Sequence, residues 1–291
     1  RTGLRFVRVP DQKRTYVVRM DVALSTIFAD WIETDLMEVT RAEINGVNIN
    51  DYSIDERTGR VNDRDRLVLA GDDRGWTADG IRSSQQVDST TMQELLQALD
   101  DLSIVGVRLK PTGLSQSLIS GNEGELARAD IMSLQSKGFF VSKEGQLLSN
   151  EGEMEVHTAK GVVYTLRFGE VLFGAGTAIT AGSGETGSGN EGGSENRYLF
   201  LTTRFDENAF RQPRRPSDTT YRSKPDSLLT DSERIDKQAG QTYDTWQRNV
   251  EQGRSLSGRL NQRYSDWYYV ISADSFDQLR LRRSDLIVAK D

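Results

Sequence analysis

The single histidine of the chain, His157, is the first residue to consider for acid–base or metal chemistry. It lies between Val156 and Thr158, in a segment with the alternation of a β-strand. A hydrolytic triad needs a nucleophilic serine beside the histidine, and the sequence has no Gly-x-Ser-x-Gly element to present one. Zinc sites that lack thiolates usually need several histidines, and the chain has no cysteine. We therefore expect a structural or surface histidine, no catalytic residue and no metal site.

A glycine-rich stretch, residues 174–193, contains two Gly-x-Gly-x-x-Gly patterns. This pattern binds a dinucleotide only where its last glycine opens a helix whose N-terminus faces the pyrophosphate. Neither copy stands directly between a predicted strand and a predicted helix, and no Gly-Lys-Ser or Gly-Lys-Thr of a phosphate-binding loop occurs. The stretch is predicted to be a long flexible loop, and no cofactor is expected.

Paired carboxylates are a further possible source of acid–base chemistry. A calcium loop would need a glycine at its sixth position and a distal glutamate, which the run 62–65 lacks. The pairs stand at predicted turns or helix ends, where solvated side chains are usual. An acid-pair hydrolase needs two carboxylates about 5 to 9.5 Å apart across one cleft, and it is kept as a third hypothesis. The pairs are Asp63 and Asp65, Asp72 and Asp73, and Asp100 and Asp101.

The charge balance argues against nucleic acid as the main partner. With 37 basic and 44 acidic side chains the net charge is −7, whereas phosphate backbones require a basic surface. One segment differs, because residues 211–224 hold five basic side chains and two prolines. This segment is either a solvated loop or a binding site for an acidic partner.

Nothing in the sequence is long and apolar enough to cross a membrane, which would take a run of about 18 apolar residues. The chain nevertheless opens on Arg1 and not on methionine, directly at a strand-like segment. We therefore expect that an upstream segment has been removed or is missing, and a signal or anchor helix is the natural candidate.

The elements that would position these residues alternate between hairpins and short amphipathic helices. Asn45-Gly46 is predicted to form a type I′ turn between two of the strands. Helices are predicted from Ser25 through Trp31 and Leu36, from Thr91, from Asn122 to Lys137, and from Ser275. The predicted strands are 4–9, 15–20, 42–44, 47–49, 66–69, 75–77, 104–109, 154–158, 162–168, 198–201 and 267–271.

The predicted fold class is α+β, with antiparallel β-meanders, short flanking helices, two related lobes and a long helical arm. Residues 163–168 parallel residues 15–20 position by position, which indicates either internal duplication or coincidence. The predicted domains are a first α+β lobe at 1–110, a second lobe at 111–230 that contains the glycine-rich loop, the helical arm at 231–266, and a C-terminal strand and helix at 267–291 that complete the second lobe.

The helical arm is the most distinctive element of this pattern. Its apolar residues follow one another at spacings of three or four, as in a coiled-coil seam. It also contains three glycines, each of which weakens a helix by about 1 kcal/mol relative to alanine. The arm either packs on its own domain or projects and docks a protein partner through Tyr243, Trp246 and Val250. The glycines are Gly240, Gly253 and Gly258.

Several phrases of the sequence resemble a known bacterial family, domain of unknown function 4340, in its planctomycete-like form. They are 28–33 (FADWIE), 136–141 (SKGFFV), 149–153 (SNEGE), 164–170 (YTLRFGE), 197–200 (RYLF) and 266–271 (DWYYVI). The resemblance implies one N-terminal membrane helix, a domain outside the cytoplasm, and association with an ABC-type export system similar to those of gliding-motility machinery. It supplies no catalytic or binding residues.

Residues and resemblance together predict a non-enzymatic protein. We expect an extracytoplasmic, membrane-anchored accessory or scaffolding subunit that works through protein–protein contacts, with ABC transporter subunits as its partners. The alternative is a binding module for glycans or envelope polymers. That function would require exposed aromatic side chains to line a groove, and the four tryptophans are the candidates. They are Trp31, Trp76, Trp246 and Trp267.

Overall fold

The computed structural model describes residues 3–20, 30–55, 58–120, 126–143, 145–173 and 195–290. The chain divides into two compact units, Arg1–Glu33 and Thr34–Asp291. Three predicted features lie outside the described residues, namely the helix cap at Ser25, the helix start at Asn122 and the glycine-rich loop at 174–193.

The first unit contains an antiparallel hairpin of two strands, β1 (Leu4–Arg8) and β2 (Thr15–Arg19). Phe6 and Val17 are register partners at its centre, and both side chains are exposed. The first predicted hairpin is thereby confirmed.

The second unit is built on a large antiparallel sheet. Its strands are β3 (Ile44–Asp55), β4 (Arg60–Asp72), β5 (Gly75–Ala78), β7 (Gly106–Leu109), β10 (Glu153–Thr158), β11 (Val162–Phe173), β12 (Glu195–Phe205) and β13 (Trp267–Ile271). These eight strands lie in the order β5-β4-β3-β10-β11-β12-β13-β7. The sheet therefore joins strands from both predicted lobes, and the division into lobes stays a prediction.

Helices and small strand pairs surround this sheet. The helices are α1 (Ser89–Asp100), α2 (Thr112–Ser120), α3 (Arg128–Gln135), α4 (Asp231–Ser265), α5 (Ala273–Leu279) and α6 (Arg283–Leu286). Two further strand pairs are β6 (Gln85–Val87) with β14 (Ile287–Ala289), and β8 (Phe139–Val141) with β9 (Leu147–Ser149). The α+β class with antiparallel strands and a long helix is confirmed.

Burial along the strands follows from their sequences. Residues 198–201 of β12 are all buried, because the sheet is covered on both faces there. On one of these faces Phe200 packs edge-on against Phe139, at 5.3 Å between ring centroids. On β10, by contrast, Met154 and Val156 are buried while Glu155 on the opposite face is only partly covered. Successive strand residues point to opposite faces, so β10 has one apolar and one polar side.

The turn predicted at Asn45-Gly46 is wrong. Both residues lie inside the continuous strand β3, and neither has the positive φ that a type I′ turn requires. Gly46 is a register partner of Ala70 on β4 and of His157 on β10, so the strand is held by ladders on both sides. A β-carbon at position 46 would approach His157 Cβ to 3.2 Å, and this close packing is what the glycine accommodates.

The helix predicted through Trp31 and Leu36 is also wrong over its described part, because residues 30–36 form no α-helix. Asp35 instead makes an isolated antiparallel bridge with Ser103, and the Leu36 N–H donates to Leu102 O at 3.4 Å. The backbone groups that a helix would pair internally are therefore used in contacts with residues 102–103.

Two helices begin one turn earlier than predicted. Asp88 caps α1 by accepting a hydrogen bond from Thr91 N at 2.7 Å, and Ser272 caps α5 by accepting one from Ser275 N at 3.1 Å. Thr91 and Ser275 were predicted as the caps, but each is the third helical residue, whose N–H the real cap binds. The predicted apolar face of α1 is confirmed, since Met92, Leu95, Leu96 and Leu99 are all buried.

Candidate functional site

The predicted arm is observed as α4, a single helix of 35 residues that begins at a capping box. Thr230 Oγ1 accepts a hydrogen bond from Glu233 N, and the Glu233 carboxylate accepts one from Thr230 N at 2.9 Å. Toward its C-terminal end α4 lies against β12, where Asn261 Oδ1 accepts a hydrogen bond from Thr203 N at 2.7 Å. This part of the helix packs on the sheet and does not project from it.

The N-terminal part of α4 is covered by residues 206–230, which we name the covering segment. Trp246 Nε1 donates to Phe210 O at 3.2 Å, and Asp236 Oδ1 accepts a hydrogen bond from Ser217 N at 2.7 Å. Gly240 permits the close approach of the segment, because a β-carbon there would overlap Tyr221 Oη.

Two of the five basic residues of the covering segment are bound by acidic side chains of α4. Arg222 reaches both carboxylate oxygens of Asp244, at 3.1 and 3.0 Å, and Lys224 pairs with Glu233. The hydrogen bond from Lys224, together with the hydrogen bonds from Thr230, lowers the pKa of Glu233 to about 2. For these two basic residues an acidic partner is present within the same chain.

The three predicted partner-binding residues lie in different environments. Tyr243 and Trp246 are half-buried, with ring centroids 5.2 Å apart, and Arg215 lies 5.2 Å from the Tyr243 ring centroid. Val250 is buried against its own chain. Trp246 and Val250 both line one groove, whereas Tyr243 lies outside its lining. The apolar face of α4 is therefore used partly in contacts within the chain and is partly open in the groove.

This groove, of about 1130 Å³, runs between α4 and the covering segment. Phe210, Trp246 and Val250 supply its apolar lining, and charged side chains from both elements surround them. On the rim, Arg254 Nη2 lies 2.6 Å from Glu207 Oε2, and both side chains are well exposed. An apolar centre inside a charged rim is the usual arrangement of a protein-binding surface.

Trp246 and Val250 were predicted from the sequence as partner-binding residues, whereas Phe210 and Arg254 were not. Arg254 lies eight positions after Trp246 and four after Val250, so helical periodicity places it on the same face. That signal was available in the sequence. Phe210 had no comparable local signal, because the covering segment is irregular and its contact with Trp246 is tertiary.

The other residues considered for chemistry occupy ordinary structural positions. His157 Nε2 lies 3.1 Å from Asn48 Nδ2 and 3.8 Å from Glu155 Oε2, on the polar side of β10. Arg74 Nη2 lies 2.9 Å from Asp72 Oδ2. The hydrogen bond from Arg74 also lowers the pKa of Asp72. Within the described ranges, no group of three or more histidine, aspartate or glutamate side chains is placed to hold a metal ion.

Two carboxylates that line one cleft, of about 410 Å³, are Asp51 and Asp65, which are register partners on β3 and β4. Asp51 is bound by Arg64 at 2.7 Å, and Asp65 by Arg283 at 3.0 Å. Two like charges directly opposite each other on a sheet repel, and the arginines offset that repulsion. The arrangement is accounted for by strand pairing, so we do not propose a hydrolase.

The tryptophans lie on separate elements. Trp31 and Trp267 are 63% and 38% exposed, while Trp76 and Trp246 are half-buried. Among the helices that the structure describes, none is long and apolar enough to cross a membrane.

Comparison with protein families gives a match to the model described as a domain of unknown function, DUF4340, over residues 1–117. The family resemblance is confirmed for these residues. No curated protein and no solved structure matches the chain. The groove beside Trp246 lies beyond the matched residues.

Proposed function

We propose that this chain, which carries a DUF4340 domain over residues 1–117, is an extracytoplasmic, membrane-anchored accessory or scaffolding protein of an ABC-type export system. It acts by holding a protein partner and carries out no chemistry of its own. The observation that supports this proposal best is the groove between α4 and the covering segment, with its apolar lining and charged rim.

The groove suits a protein partner in both shape and chemistry. Trp246 is a large aromatic side chain that is already positioned, since its indole N–H is bound to Phe210 O. Tryptophan and arginine dominate the affinity of many protein interfaces, and Trp246 and Arg254 both line the groove. A partner that covered the rim would also shield the Glu207–Arg254 pair from water.

Affinity purification of the full-length, membrane-anchored protein tests the proposal. We expect ABC transporter subunits to be recovered with it, and reproducible recovery of the protein alone would contradict the proposal. Trp246→Ala should reduce the recovered subunits at least tenfold, as expected for an aromatic anchor at the centre of a protein interface. Gln241→Ala, an exposed position on the same helix, is the matched control and should leave recovery unchanged.

A second candidate function is binding of glycans or envelope polymers, which the exposed indole of Trp31 favours. Aromatic rings of this kind pack against the apolar faces of sugars. Sedimentation with insoluble cell-wall polymer would distinguish the two functions, because Trp31→Ala should release the protein from the polymer only if the second function is correct.

A further inference from the structure

The polar side of the central strands leads to a cavity that the proposed function does not use. Glu155 on β10 and Thr165 on β11 are register partners, as are Thr165 and Thr202 on β12. Their side chains share one face of the sheet, and Arg204 lies on that face beyond Thr202. The cavity, of about 320 Å³, lies between this face and the C-terminal end of α4.

Lys110, the residue directly after β7, lines the cavity and is only 3% exposed. Its ammonium group donates to Tyr264 O in the last turn of α4 at 2.9 Å and lies 3.9 Å from the Phe200 ring centroid. Burial lowers the pKa of Lys110 to about 7, against the opposing effect of Asp266. A charged group in this position is costly unless it is paired.

The position of Lys110 is partly explained by the helix. A cation near the last carbonyl groups of α4 interacts favourably with the helix dipole. An ammonium group has three N–H donors, however, and among the described residues Tyr264 O is the one hydrogen-bond acceptor recorded for the Lys110 ammonium group. The Phe200 and Tyr268 rings also lie near the ammonium group, at 3.9 and 5.5 Å from their centroids, and the cavity has room for a further acceptor.

The lining holds further hydrogen-bond donors besides Lys110. Arg204 uses one hydrogen bond, to Glu155 Oε1 at 3.2 Å, and Thr202 accepts one from Arg167 at 3.0 Å. Within the described part of the chain no acceptor is recorded for the Thr202 hydroxyl hydrogen or for the other Arg204 N–H groups, and the Arg204 side chain is 51% exposed to solvent. Glu155 is the acidic side chain of the lining, and its carboxylate already binds Asn48 at 2.9 Å as well as Arg204.

We propose that this cavity binds a small oxyanion, a carboxylate or phosphate group, through Lys110, Thr202 and Arg204. The bound oxygen atoms would accept from the ammonium group, the hydroxyl and the guanidinium group. The cavity volume of about 320 Å³ is at the small end for ligand pockets and suits a compact anion. This inference is independent of protein docking at the groove beside Trp246.

Calorimetric titration of the full-length protein with inorganic phosphate and with succinate, at constant ionic strength set with chloride, tests the inference. We expect one of the two anions to bind, and the one that binds identifies the group as phosphate or carboxylate. Lys110→Met should weaken binding by about 10- to 100-fold, the loss expected for a hydrogen bond to a charged group. Thr202→Val should weaken it severalfold while Lys110 stays in place.

Lys143→Met removes the same charge from an exposed position and should leave the affinity unchanged. Lys110→Met is expected to fold, because an apolar side chain of similar length replaces a buried charge. The inference would be overturned if neither anion binds the wild-type protein, or if Lys110→Met binds as tightly as Lys143→Met does.

Discussion

Gly253 of α4 lies directly against Phe205 of β12, so that a β-carbon at position 253 would come within 2.5 Å of Phe205 Cε2. It would approach Lys160 O equally closely. Gly258, further along the same helix, is exposed, and no atom of the described residues lies within 4 Å of the equivalent position. The same residue type thus has a packing role at one site and none at the other.

Alanine substitutions at these two glycines should change stability in opposite directions. Gly258→Ala should raise the free energy of unfolding by about 1 kcal/mol, because alanine is the better helix former and nothing obstructs it. Gly253→Ala should lower the free energy of unfolding by about 1 to 3 kcal/mol, since the helix must move away from Phe205. Urea denaturation measures both, and equal stabilisation by the two substitutions would contradict the contact.

The N-cap of α1 can be tested by a matched pair of substitutions. Asp88→Ala should lower the free energy of unfolding by about 1 kcal/mol, because Thr91 N loses its acceptor. Thr91→Ala keeps that N–H bonded to Asp88 and should cost less than Asp88→Ala. A larger loss of stability for Thr91→Ala than for Asp88→Ala in thermal denaturation would indicate that Thr91 is the cap.

Buried Lys110 should make stability depend on pH. Its folded-state pKa of about 7 lies below the value of an unfolded lysine, so between these values the unfolded chain binds more protons and stability rises with pH. For this group the gain is on the order of 1 kcal/mol per pH unit. We expect wild type to gain stability relative to Lys110→Met from pH 7 to pH 9 in chemical denaturation.

The tyrosines beside Lys110 do not obscure this pH dependence. Burial raises the pKa of both Tyr264 and Tyr268, so both side chains titrate above pH 9 in the folded protein. Lys143→Met, which removes an exposed charge, should show no such trend. A stability difference for Lys110→Met that stays constant from pH 7 to pH 9 would mean that the lysine remains charged in the folded state.

The sequence predicted those elements whose local periodicity was strong. The hairpin of β10 and β11 and the continuous helix α4 follow directly from alternation and from spacings of three or four. The predicted caps failed because Thr91 and Ser275 fit a capping box, while Asp88 and Ser272, one turn earlier, bind the free N–H groups. Local patterns cannot choose between two competent caps.

The candidate sites were less predictable, because they join distant parts of the chain. Trp246 was recognised on the helical seam, but its partner Phe210 comes from an irregular segment. Lys110 acquires its role only from the packing of Tyr264 and Phe200 around it. Nothing in the residues that neighbour Lys110 in sequence indicates this burial.

Site-specific photo-cross-linking tests most directly whether the groove holds a transporter partner. If the proposal is correct, a photoreactive residue at Gln212, exposed in the groove lining, should cross-link the protein to an ABC transporter subunit in cells. The same residue at Asn62, exposed on β4, should give no such product. Cross-links from Asn62 but not from Gln212, or none from either position, would contradict the account.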